Sequence, residues 1–303
     1  MSRETEWSKL KSMHKGFPAK EVLLAQGDPA NQMYILMEGK ANVIRNGKLI
    51  GSVQKRGEYL GEISFLMNTE YTASVVTETP CTMIRIERNE AESFLRHSPE
   101  VAISMAAKLA GRLAELNRKI SNLGNTFLND ALLNAVLEEK QDRNRRTASD
   151  LNLSSLSSLE AEIPAGLEII VQNQPLSHLY ILLEGEVEII KNSQLLAIES
   201  EPGYYMGDVS VLRKTLPNAT VRARTDCRMI QIPAEKLDSF LHHSPEVAIS
   251  IARKICERIL TINNTMEKLI QYADRNGLSE TSENISRDTG REIRKIRKTV
   301  KLV

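Results

Sequence analysis

The sequence predicts a mainly β chain with helices: two tandem β-rolls of jelly-roll type, each followed by a long helix. Three observations predict it. One segment recurs at a constant offset, each copy opens with short apolar runs broken by turn residues, and each copy closes on a helix with a heptad stripe.

The repeat is read directly. YILMEGKANVI from Tyr34 returns as YILLEGEVEII from Tyr180, and GEYLGEISFL from Gly57 returns as GYYMGDVSVL from Gly203. HSPEVAIS occurs unchanged from His97 and from His243. All three pairs share an offset of 146 residues, and Ala19–Ile120 aligns with Ala165–Met266 without a gap. Duplication of one domain explains this; shared composition does not.

Within the first copy, the runs Val22–Gln26, Met33–Glu38, Val43–Arg45, Ala73–Thr77 and Thr82–Ile86 are rich in Val, Ile and Leu. Strands at that spacing, with turn signals between them, build sandwiches and barrels. Asn46–Gly47 predicts a two-residue hairpin, since both residues tolerate positive φ. Cys81 and Cys227 share one repeat position in an apolar strand and read as small core residues.

The helical part opens at Ser98–Pro99–Glu100, with Ser98 a candidate N-cap and proline at the first helical position. Ala102, Ala106, Leu109, Leu113, Leu116, Ile120 and Leu123 then step by four and three. Ala248, Ala252, Ile255, Ile259, Ile262, Met266 and Leu269 repeat the pattern. Such a stripe serves a helix–helix seam, within one chain as an internal pseudo-dimer or between two chains as a homodimer. It also serves an amphipathic helix packed on its own roll.

These features divide the chain into a first domain over 1–124, a partly helical linker over 125–162, a second domain over 163–272 and a basic tail over 273–303. The formal net charge of +1 gives no global field to attract nucleic acid or an anionic membrane. No apolar run approaches the roughly 18 residues that span a bilayer. Three cysteines fit neither a disulfide framework nor metal-ligand spacing, so a cytoplasmic setting is expected. The five histidines lack the His-x-His pattern of metal-binding β-rolls. With no P-loop, nucleophile elbow or catalytic carboxylate pair, the chain reads as a non-enzyme without cofactor or metal.

The repeated residues resemble the cyclic-nucleotide-binding domain family, found in catabolite activator proteins and in the regulatory subunits of cyclic-AMP-dependent protein kinase. Its early signature stands here as Gly27–Asp28, Tyr34–Ile35–Leu36 and Glu38–Gly39. Copy two keeps Tyr180–Ile181–Leu182 and Glu184–Gly185. The family's phosphate cassette runs Gly-Glu, two apolar or small residues, a variable stretch, then Pro-Arg, a small residue, Ala and Ser or Thr. Copy one reads Gly61, Glu62, Ile63 and Ser64, then Tyr71, Thr72, Ala73 and Ser74, of which Gly61, Glu62, Ala73 and Ser74 match. Copy two offers Gly207, Asp208, Val209 and Ser210, then Asn218, Ala219 and Thr220. Neither copy has the arginine: Tyr71 holds its position in the first, and Pro217 or Asn218 in the second.

The resemblance implies a cyclic nucleotide ligand, cAMP or cGMP. Glu62 or Asp208 would accept from the ribose hydroxyl, and backbone N–H groups would face the phosphate. Losing the arginine removes a charge-assisted pair that contributes roughly 1.5–3 kcal/mol, so binding is expected to be weak. Copy one, with the better-matched cassette, is expected to be the better site, and Tyr71→Arg to strengthen it. The function implied is a regulatory sensor acting on an unidentified protein partner. Two alternatives stay open: an interaction scaffold without ligand, and a DNA-binding regulator using the tail, where Ile285, Gly290 and Ile296 have helix-turn-helix spacing. Specific nucleic-acid binding is not expected, because the tail is short and Ser286 holds the motif's usual alanine position. Arg145–Arg146–Thr147–Ala148 resembles the inhibitor sequence of kinase regulatory subunits, although basic pairs are common in solvated linkers.

Overall fold

The computed structural model describes residues 13–127 and 153–275. The Asn46–Gly47 pair turns the chain as expected. Arg45 lies opposite Lys48, and the two loop residues have φ of 51° and 71°. The twist of this loop suits the flanking strands. Its counterpart, Asn192–Ser193, takes the same shape between Lys191 and Gln194, with φ of 49° and 65°.

Among the described residues each repeat contributes eight strands. The first holds β1 (His14–Phe17), β2 (Val22–Leu24), β3 (Gln32–Glu38), β4 (Ala41–Arg45), β5 (Lys48–Val53), β6 (Tyr59–Leu60), β7 (Ser74–Thr77) and β8 (Cys81–Glu87). The second holds β9 (Glu160–Ile163), β10 (Glu168–Ile170), β11 (His178–Glu184), β12 (Val187–Lys191), β13 (Gln194–Glu199), β14 (Tyr205–Met206), β15 (Thr220–Ala223) and β16 (Cys227–Pro233). The first repeat forms antiparallel sheets β1-β8-β3-β6 and β2-β7-β4-β5. The second forms β9-β16-β11-β14 and β10-β15-β12-β13, the same orders strand for strand. The second roll therefore opens at Glu160, three residues ahead of the boundary drawn at 163.

The Glu-Gly signature has a packing cause. Gly39 sits at φ 95°, where a Cβ would stand 2.4 Å from the Pro80 carbonyl oxygen and 2.6 Å from Cys81 Sγ. Gly185 meets Asp226 and Cys227 in the same way. Both cysteines are buried, and their thiols donate to Lys40 and Glu186 carbonyl oxygens at 3.3 Å. In the second roll Tyr180, Leu182, Val187, Met206, Val221, Cys227 and Met229 form one buried cluster. The alternate residues Leu179, Ile181, Ile230 and Ile232 are buried as well, so the central strands are covered on both faces.

Six α-helices, α1 (Glu62–Met67), α2 (Arg88–His97), α3 (Pro99–Phe127), α4 (Asp208–Arg213), α5 (Leu237–His243) and α6 (Pro245–Arg275), and two 3-10 helices, Leu153–Leu159 and Ala234–Lys236, complete the described chain. Both long helices begin at their proline, where Val101 and Val247 N–H donate to Ser98 and Ser244 carbonyl oxygens at 2.9 and 3.0 Å. The seam residues Ala102, Ala106, Leu109, Leu113, Ala248, Ala252, Ile255, Ile259 and Met266 are buried; Leu116 and Ile262 are half-buried. A second buried stripe, Val101, Met105 and Ala110, recurs as Val247, Ile251 and Cys256. Each long helix thus buries a wider face than a two-position seam requires.

The packing divides the chain into two units that do not follow the repeats. Among the described residues, one joins the first roll, through His97, to residues 266–275; the other lies within Ser98–Thr265. In the first, Arg45 of β4 pairs with Glu267 at 2.9 Å. In the second, α3 packs on α4 and α5 beside the second roll. Among the described residues no helix is long and apolar enough to cross a membrane. The kinase-inhibitor-like Arg145–Ala148 and the helix-turn-helix positions of the tail lie outside the described residues.

Candidate ligand-binding cavity

Both cassettes start on a left-handed glycine, Gly61 at φ 79° before α1 and Gly207 at φ 83° before α4. A Cβ would also crowd a leucine: on Gly61 it would stand 2.5 Å from Leu24 Cδ1, and on Gly207 2.6 Å from Leu176 Cδ2, so those side chains would have to shift. From this shared start the two sites diverge.

In the first domain Glu62, Ile63 and Ser64 are buried on α1. Tyr71, at the missing arginine's position, is buried with its ring against Gly61, Cε1 lying 3.2 Å from where a Cβ would be. Its hydroxyl donates to the Gln32 carbonyl oxygen at 2.5 Å and accepts from the Gln32 N–H at 3.1 Å. Burial raises its pKa, so the phenol stays neutral. The structure therefore gives this hydroxyl a partner in the protein backbone and packs the ring against the glycine that opens the cassette. Thr72 is exposed, and Arg45 Nε donates to its carbonyl oxygen at 3.1 Å. Ala73 is half-buried, and Ser74 Oγ accepts from the Gln26 N–H at 2.9 Å.

The second domain has a cavity of about 190 Å³. Gly207, Asp208, Val209, Ser210, Asn218 and Ala219 all line it. Thr220 is not in its wall; that hydroxyl accepts from the Gln172 N–H at 3.0 Å and holds the strand entry. The rest of the wall includes Ile170, Ile189, Tyr204, Tyr205, Arg213 and, from α3, Ala114 and Asn117. A helix of the first repeat thus supplies part of the second repeat's cavity.

Asp208 is buried and ion-paired with Arg258 of α6, which also reaches the cavity wall. Tyr205 is buried beside it, its hydroxyl donating to Ser250 Oγ at 3.0 Å. Burial pushes the Tyr205 phenol up to about 12, against the opposing pull of that hydrogen bond. The Tyr204 phenol is raised as well, again mainly by burial. The cavity therefore offers aromatic and aliphatic walls, one buried carboxylate and two guanidinium groups.

The cyclic nucleotide-binding domain family matches residues 14–98 and 160–244, more than half of the chain. The chain belongs to this family. Its two cyclic nucleotide-binding domains correspond to the two rolls and the short helices that end them. Among curated proteins, it is similar to the cAMP-activated global transcriptional regulator CRP of Escherichia coli and of Shigella flexneri. Each is 28% identical over 116 residues, covering 37% of this chain and 55% of the relative. The chain thus spans about half the length of the curated relatives it matches. Among solved structures, the catabolite activator protein of Thermus thermophilus is 27% identical, covering 41% of this chain and 61% of that one, with a TM-score of 0.36. The regulatory subunit of a cAMP-independent protein kinase A from Trypanosoma brucei is 17% identical, covering 77% and 75%, with a TM-score of 0.31.

Several wall residues of the second cyclic nucleotide-binding domain escape a reading of the cassette alone. Arg258 had a signal, because its repeat counterpart Arg112 stands on the equivalent helix at the same offset of 146. Asn117 had none, since it lies off the apolar stripe that marks the helix. Arg213 had a weak one: with Lys214 and Arg222 it is among the basic residues close to the second cassette in sequence, although its repeat counterpart is Met67.

Proposed function

We propose that the chain is a non-enzymatic regulatory protein that senses a cyclic nucleotide through its second domain. The observation that carries this reading is the cavity in which six cassette residues meet Asn117 of α3. We assign the ligand to the second domain rather than the first because Tyr71, at the arginine's position, is buried against Gly61 and commits its hydroxyl to Gln32.

The sensing step follows from the Asp208–Arg258 pair. A ribose hydroxyl that donates to Asp208 competes with Arg258 for the same carboxylate. Binding therefore changes how α6 is held to α4, while the same ligand touches α3 through Asn117. Both long helices then report occupancy of one cavity. We propose that they pair within the chain as an internal pseudo-dimer, with Leu109, Leu113 and Leu116 towards Ile255, Ile259 and Ile262. Both sets of residues belong to one packing unit, Ser98–Thr265, which supports this pairing. A cytoplasmic setting goes with this reading, and the three cysteines are buried free thiols.

Thermal denaturation of the full chain with rising cAMP or cGMP tests the proposal. A ligand that binds only the folded state raises Tm progressively with its concentration. An unchanged Tm at millimolar levels of both nucleotides would leave the ligand-free scaffold as the better reading.

A further inference from the structure

The second cavity lacks the cassette arginine, yet its wall is not electrically neutral. Its charged members are Asp208, Arg213 and Arg258. Asp208 and Arg258 neutralise one another in their ion pair. One positive charge is left over, on Arg213 at the C-terminal end of α4. The position expected to hold the arginine falls on buried Pro217, which offers neither charge nor N–H, or on uncharged Asn218 in the shifted register.

We propose that Arg213 receives the anionic group of the ligand in the second domain, replacing the missing cassette arginine from the other end of α4. This rests on the reading that the cavity takes a cyclic nucleotide. Among the described residues Arg213 has no hydrogen bond or ion pair, so its guanidinium is not already committed. On α3, Gly111 lies beside it: a Cβ there would stand 4.0 Å from Arg213 Nε. Glu115, one turn further along α3, is paired with Lys119 at 3.1 Å. A cyclic monophosphate carries a single negative charge, which matches the surplus of the wall. A guanidinium binds phosphate oxygens through two parallel N–H donors, and a partly enclosed site strengthens the contact.

The comparison between repeats points the same way. The counterpart of Arg213 in the first domain is Met67. The substitute cation is therefore present in the second domain and missing from the first, where Tyr71 holds the arginine's position.

The test is a calorimetric titration of the full chain with cAMP and, separately, with adenosine, which keeps the base and ribose but has no phosphate. Arg213→Ala is expected to weaken cAMP at least about tenfold and to leave adenosine unchanged. Arg213→Lys should restore part of the loss. Unchanged cAMP affinity in Arg213→Ala would overturn the proposal while leaving the cavity's assignment intact. An equal loss for cAMP and adenosine would also overturn it, because the residue would then act on the cavity's shape. If wild-type protein binds neither probe, the assignment of the cavity itself fails, and this proposal with it. Arg213 is exposed, so the alanine variant should keep the wild-type melting temperature.

Discussion

The Tyr71 hydroxyl bridges the Gln32 backbone, donating to its carbonyl oxygen and accepting from its N–H. One side chain thereby satisfies two polar groups of β3 while its ring packs on Gly61. Tyr71→Phe keeps the ring and removes the bridge, so it should lower stability by about 1–3 kcal/mol. Tyr71→Arg removes ring and bridge together. From sequence it looks like a repair of the cassette; from the structure it should lower Tm and leave ligand stoichiometry unchanged. Denaturant melts of both variants, with titration of the arginine variant, check this.

The Asp208–Arg258 pair yields a second prediction. Asp208 is 3% exposed, so loss of its partner leaves a buried carboxylate uncompensated. Arg258→Met should destabilise the chain by about 1–3 kcal/mol, since the arginine itself is partly exposed. Asp208→Asn in the same chain should recover part of that loss. A double-mutant cycle in urea measures the coupling, and additive effects would show that the pair contributes nothing.

Asn117 lines the second domain's cavity from a helix of the first repeat. Asn117→Trp should fill part of that space and abolish nucleotide binding with little change in Tm, because Asn117 is exposed. Fluorescence titration reads this directly. Wild-type affinity in the variant would place the ligand elsewhere.

Alkaline pH gives a further check. The folded state raises the Tyr205 phenol to about 12, above the ordinary value near 10, so it favours the neutral form. The associated stability is fully present below pH ~10 and is lost as pH rises towards ~12. The slope from this group is about 1.4 kcal/mol per pH unit. Tyr205→Phe should flatten the alkaline limb of the stability profile relative to wild type, although it loses the bond to Ser250 at every pH. Parallel limbs in the two proteins would contradict the assignment.

Much of the fold was legible because its signals are local. The Asn46–Gly47 loop and the proline helix starts each have a backbone cause that one stretch of sequence displays, and the constant offset shows when two stretches are laid side by side. β1 and β9 escaped, although they keep the offset, because HKGF and EAEI share no residue. Their place is set by pairing with β8 and β16 rather than by their own pattern. The site was legible only as far as the cassette. Whether Tyr71 faces a ligand or the Gln32 backbone depends on β3, some forty residues away in sequence. That α3 enters the second domain's cavity depends on helix packing, which a heptad stripe permits without specifying.

Isothermal titration of cAMP into the full chain tests the central claim most directly. The account predicts saturable binding at a single site per chain, weakened by Arg213→Ala and abolished by Asn117→Trp, with Tyr71→Phe binding as wild type does. Two sites per chain, a site lost in Tyr71→Phe and retained in Asn117→Trp, or no binding of cAMP at millimolar concentration would contradict it.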